Sequence, residues 1–152
     1  MDVTFRFYRN SDEENVTELM KEFYTEDIYV KNITTEKIKK TFHELKQHPE
    51  KGCILVAEDE LKIIGYALLI NYWSNEFGGN ILYIDELFVQ PAYRGKGIGT
   101  KILRYIIEQK INEPVAIQLE VTKQNKIGIK FYKKFGFTES QYNRLIFEYD
   151  KK

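Results

Sequence analysis

The sequence predicts a mixed α/β domain in which a largely antiparallel sheet leads into one strand, turn, helix, strand unit. Three observations carry that expectation. Period-two runs open and close the chain, and three apolar runs follow one another across short polar turns. A glycine-rich turn, "QPAYRGKGIGTKIL" at 90–103, then separates an apolar run from an amphipathic one. With 152 residues, 43% of them hydrophobic and 30% charged, the chain has the size and composition of one domain spanning 1–152.

"VTFRFYR" alternates Val3, Phe5 and Phe7 with Thr4 and Arg6, the pattern of a half-buried strand. "NSDEENVTELMKEFYTED" offers capping side chains, acids in the first turn, and Val16, Leu19, Met20 and Phe23 at helical spacing. A second helix is expected over "TTEKIKKTFHELKQ", capped by Thr34 or Thr35, striped by Ile38, Phe42 and Leu45, and stopped before Pro49. "CILVAED", "ELKIIGYALLINYW" and "GNILYIDELFVQ" read as an antiparallel meander that ends at Pro91. Ile102, Leu103 and Ile106 then mark a helix, "VAIQLEV" a short buried strand, and "NKIGIKFYKKFGF" a helix closed by Gly136 in a left-handed cap. "YNRLIFEYD" alternates as a last strand.

Lysine plus arginine balances aspartate plus glutamate at 23 each, so no global field draws the protein to nucleic acid or to an anionic membrane. The amino terminus lacks a basic start with an apolar stretch, and no run approaches membrane-spanning length. A cytoplasmic address is expected. The single cysteine, Cys53, lies in an apolar run and reads as a core thiol, while His43 and His48 lack a local partner cluster. No metal site is expected.

Any anion site must therefore be local, and the turn at 90–103 is the candidate. Glycines admit close approach to backbone amides, and a helix start carries partial positive charge. A nucleoside-triphosphate loop needs glycine, four residues, glycine, lysine, then serine or threonine; here Gln90 stands five before Gly95, and Gly97 follows Lys96. A dinucleotide fingerprint needs G-x-G-x-x-G, but Gly95, Gly97 and Gly99 give G-x-G-x-G. Neither spacing fits.

"YRGKGIGTKIL" resembles the R-x-x-G-x-G/A signature of the GNAT superfamily of acetyl-coenzyme A dependent N-acetyltransferases, as Arg94, Gly97 and Gly99. "NKIGIKFYKKFGF" is similar to that family's second coenzyme segment, N-x-x-A-x-x-F-Y-x-x-x-G-F, with Gly128 in place of the usual alanine. The resemblance implies a sheet of about seven strands flanked by about four helices, with a splayed pair of strands forming the coenzyme cleft. It implies coenzyme contacts along Leu87, Phe88 and Val89, pyrophosphate on the amides of Arg94, Gly95, Lys96, Gly97, Ile98, Gly99 and Thr100, and a role for Asn125. A homodimer is common in that superfamily.

An amine must be neutral to attack a thioester, and the departing thiolate must be protonated or stabilised. The resemblance makes Tyr132 the general acid, and a phenol suits a thiolate leaving group. Asp85 and Glu86 stand adjacent in the apolar run "LYIDELFV". Strand neighbours face opposite sides unless a bulge intervenes, so at most one of the two faces the amine directly. The resemblance implies Asp85 as the base route, directly or through water, since it matches the acid that many relatives carry there, with Glu86 second. For the acceptor, Glu22, Glu26, Asp27 and Glu76 lie near Tyr24, Tyr29, Tyr72 and Trp73 in sequence, a mixture that suits a cation. The layout looks like the diamine acetyltransferase branch, which implies a small amine such as a polyamine. Aminoglycosides, amino acids and protein N-termini are the alternatives, as is a coenzyme-binding module without turnover.

Overall fold

The computed structural model describes residues 1–26 and 32–150. They belong to two compact units, Met1–Glu120 and Val121–Lys152. The first contains β1 (Val3–Phe7), α1 (Glu13–Glu26), α2 (Thr35–Gln47), β2 (Gly52–Asp59), β3 (Lys62–Ser74), β4 (Gly79–Val89), α3 (Ile98–Gln109) and β5 (Ala116–Leu119). The second holds α4 (Lys126–Lys134). The five strands lie in chain order; β1 to β4 pair antiparallel and β5 pairs parallel with β4. The parallel step follows from the α3 crossover, because adjacent parallel strands need a long connection.

The helices form where the sequence caps them. Thr34 accepts a hydrogen bond from the Lys37 amide at 3.2 Å, and Asp12, just before α1, accepts from the Arg9 amide at 2.6 Å. One sheet face, carrying Ile54, Val56, Tyr66, Leu68 and Phe88, packs with Val16, Leu19 and Met20 of α1 and Ile38, Phe42 and Leu45 of α2. Leu55, Ala67, Leu69 and Leu82 alternate to the other face, and α3 contacts β1 and β4, with Tyr105 5.3 Å from the Phe5 ring.

Four expectations need correction. Phe7, the last residue of β1, is exposed on one face of the strand, whereas Arg6 turns to the other, where it donates to Asp12 at 2.7 Å and to Glu58 at 2.7 Å. The sheet has five strands among the described residues rather than about seven. "YNRLIFEYD" forms no strand: the Phe147 and Tyr149 rings, 5.4 Å apart, preserve the alternation, but no ladder among the described residues pairs the backbone, and Leu145 and Ile146 are exposed. β5 is half-buried rather than buried.

Candidate active site

β3 and β4 are out of step by one residue. Leu68 faces Glu86 and Leu69 faces Ile84, so Asp85 is the extra residue of a bulge. At the same point β4 loses its other neighbour, because pairing with β5 runs only from Ile81 to Ile84. From Asp85 to Val89 the strand therefore continues with no strand paired to its other edge among the described residues.

The bulge also decides how the two acids sit. Glu86 is buried on the α1 side, where its carboxylate accepts from the Tyr66 hydroxyl at 2.7 Å and the Tyr24 hydroxyl at 2.7 Å. Burial raises the Glu86 carboxyl above the ordinary carboxylate range, the two phenols oppose that rise, and the Asp85 charge adds to it. The same burial, reinforced by Glu86, raises both phenols, so they are donors at neutral pH. Asp85 is exposed, and its charge reaches Glu86, Tyr24 and Tyr66, which places the two carboxyls together.

Backbone direction sorts the expected coenzyme contacts. The Gln90 amide donates to the Ile64 carbonyl at 2.8 Å, so by alternation Phe88 and Glu86 spend their backbone groups on β3, while Leu87 and Val89 turn theirs to the open edge. Phe88 is thus placed with its ring in the core and its backbone in the ladder. Gly65, opposite Val89, allows this closeness, since a Cβ there would come within 2.6 Å of the Phe88 carbonyl.

The turn follows directly. Gly95 and Gly97 adopt φ of 76° and 77°, and Gly97 is the residue before α3. A Cβ at Gly95, Gly97 or Gly99 would meet nothing within 4 Å, so space beside the turn is open. The Lys101 amide closes the first helical bond onto Gly97 at 3.0 Å, which leaves the first-turn amides of Ile98, Gly99 and Thr100 without helical acceptors. Those donors and the open edge fit a pyrophosphate and an extended arm. Lys96 lies 5.6 Å over the Tyr93 ring, and Lys62 lies 5.4 Å over it. Arg94 is already engaged: it donates to the Val89 carbonyl at 2.8 Å and to Glu26 at 2.8 Å, and lies 5.3 Å over the Phe88 ring.

Of the acceptor-side candidates, Glu22, Tyr24 and Glu26 come together on the last turns of α1, facing Gln90 at 3.5 Å, Glu86 and Arg94. Asp27 and Tyr29 lie outside the described residues. Tyr72 and Trp73 pair with Ile81 and Asn80 at the far end of the hairpin, about 14 Å or more along β4 from Asp85 at the usual rise per residue. Tyr72 instead donates to Gln118 on β5, and Trp73 and Glu76 are exposed. These three are not brought to the bulge. Tyr66 and Gln90 were missed as site residues; a tyrosine inside "IIGYALL" has a hydroxyl that burial obliges to find a partner, and that was the readable signal.

In the second unit, Asn125 caps α4 by accepting from the Gly128 amide at 2.9 Å, and a Cβ at residue 128 would press within 2.6 Å of that side chain. This accounts for glycine where the family pattern has alanine. Tyr132 is half-buried against Phe137 at 5.8 Å, and burial raises its phenol. Burial likewise pushes the Cys53 thiol up to about 11, and His43 and His48 are exposed. Among the described residues no group of three or more His, Cys, Asp or Glu could hold a metal ion, and no helix is long and apolar enough to cross a membrane.

A crossover sheet with a bulged, half-open strand leading into a glycine turn defines a class, and residues 14–137 match the model of the acetyltransferase (GNAT) family. The chain belongs to that family. It is 36% identical over 83 residues to the thialysine N-epsilon-acetyltransferase of Mus musculus, a match covering 52% of this chain and 48% of that protein. It is 30% identical over 74 residues to the spermine/spermidine N(1)-acetyltransferase of Bacillus subtilis (strain 168), covering 47% and 48%. The chain spans about half the length of these curated relatives. The crystal structure of a possible acetyltransferase from Clostridium difficile 630 shares the fold, with a TM-score of 0.84 over 98% of this chain and 99% of that one at 24% identity.

Proposed function

We propose that this protein is an N-acetyltransferase that moves an acetyl group from acetyl-coenzyme A to a primary amine by direct attack in a ternary complex, the acceptor being a polyamine or another small cationic amine. The observation that carries the reading is the bulge at Asp85, which sets two carboxyls where β4 leaves β5, on the strand that leads into the glycine turn. A family match that crosses from one compact unit into the other supports reading the chain as one working domain, for which a cytoplasmic address and a homodimer are the accompanying proposals. The names of the mouse and Bacillus relatives support an aminic acceptor.

Acetyl-coenzyme A supplies the activated acyl carbon and a thiol leaving group. The open-edge backbone of Leu87 and the Val89 amide bind the extended arm, the Val89 carbonyl being held by Arg94, and the amides from Gly95 to Thr100 hold the pyrophosphate. Asp85, the exposed carboxyl, takes a proton from the ammonium, directly or through water, and so frees the nitrogen lone pair that forms the new C–N bond. Glu86 stands behind it, held by the Tyr24 and Tyr66 hydroxyls. Tyr132 gives its phenolic proton to the sulfur as the C–S bond breaks and recovers a proton from the acylated nitrogen, and its raised phenol keeps that proton available at neutral pH.

Asp85→Asn and Tyr132→Phe should each lower kcat by about 100-fold, with coenzyme Kd changed far less, as read by steady-state rates and calorimetry. Unchanged turnover in either variant removes that residue from the mechanism.

A further inference from the structure

Arg94 is the residue in which the loop and helix α1 meet. Its Nε donates to the Val89 carbonyl at 2.8 Å and its Nη2 to Glu26 Oε2 at 2.8 Å, with the guanidinium 5.3 Å over Phe88. The first contact fixes the end of the open strand. The second is of another kind. Arg94 and Glu26 are 45% and 44% exposed, so their pairing is worth little and exchanges readily. Arg94 also directly precedes Gly95, where the anion-binding turn begins. A pyrophosphate seated there offers several charged oxygens to the same guanidinium, whereas Glu26 offers one carboxylate.

Glu26 has its own reason to seek a cation. Glu22 lies one turn earlier on α1, beside Gln90, and like charges four residues apart on a helix disfavour one another. Arg94 is the cation recorded against it. We propose that Glu26 and the donor's pyrophosphate compete for Arg94, so that this ion pair is a latch through which donor binding is transmitted to the last turn of α1. Loading the turn releases the Glu26 carboxylate on the acceptor side, where a cationic amine can replace Arg94. The proposal rests on the donor site described above. Linkage makes it reciprocal: whatever draws Glu26 away from Arg94 tightens donor binding.

The test is calorimetric titration of coenzyme A into the wild-type chain, E26Q, R94Q and the double variant, each checked for folding by circular dichroism. E26Q should bind coenzyme A about two- to five-fold more tightly than wild type, the range an exposed ion pair supports. In the R94Q background the same substitution should change nothing. A Kd in E26Q that is equal to or weaker than wild type overturns the latch, and so does equal tightening in both backgrounds, which would be simple removal of a negative charge. Absence of binding by the wild-type chain overturns the donor site itself, and the latch with it. Glu26→Ala is read in the same way should E26Q not fold.

Discussion

Asp12 and Glu86 are buried to the same degree, 6% and 5% exposed, yet their partners give them opposite pH behaviour. Asp12 faces a guanidinium, and the Arg6 hydrogen bond, aided by the Arg9 amide, holds its carboxyl below the usual range despite burial. Its folded form is thus more acidic than its unfolded one, so its stabilisation is present above the unfolded value of about 4 and is lost as pH falls through the depressed one. Glu86 has phenols but no cation, and burial raises it. Its favourable contribution is present below about pH 4 and is lost as pH rises through the raised value. Asp12→Asn should cost on the order of 2 kcal/mol at pH 7 and less at pH 3. Glu86→Gln should compare more favourably with wild type at pH 7 than at pH 4. Denaturant melts at these pH values check both, and parallel pH dependence in the two variants would contradict this account. A carboxyl kept in a site at a stability cost is in keeping with a functional role for Glu86.

At the scale of elements, the two-residue turn joining β2 to β3 carries an unfavourable choice. Glu60 and Leu61 have φ of 56° and 98°, where glycine or asparagine is preferred, and Leu61 is almost fully exposed. Leu61→Gly should raise stability by about 1 kcal/mol and Tm by about 2–4 °C, since no packing is lost; an unchanged or lower Tm would show that the strain is absent. The glycine turn, the three helical stripes and the meander were legible because each is written in local spacing. The bulge was not, because Leu68 meets Glu86 only through pairing, and neither strand's alternation alone reveals a one-residue mismatch. Arg94 illustrates another limit. Its place in the motif was readable, but its bond to Glu26, 68 residues away, was not. The closing run "YNRLIFEYD" failed in the opposite sense, since alternation states what a strand could bury and not whether a partner ladder exists.

The whole molecule has no net charge, so the basic turn and the acids opposite it are a local arrangement within a neutral body. Donor binding should therefore depend on salt mainly through a few groups around residues 94–101 rather than through steering by the entire surface. The family match across residues 14–137 covers both segments from which the proposed chemistry is drawn, β4 with its turn and α4 with Tyr132. The measurement that tests the central claim most directly is release of free coenzyme A thiol from acetyl-coenzyme A across a panel of amines that includes spermidine and putrescine. The account predicts protein-dependent thiol release that rises with at least one amine and is lost in Asp85→Asn. Binding of acetyl-coenzyme A without release by any amine of the panel would contradict it.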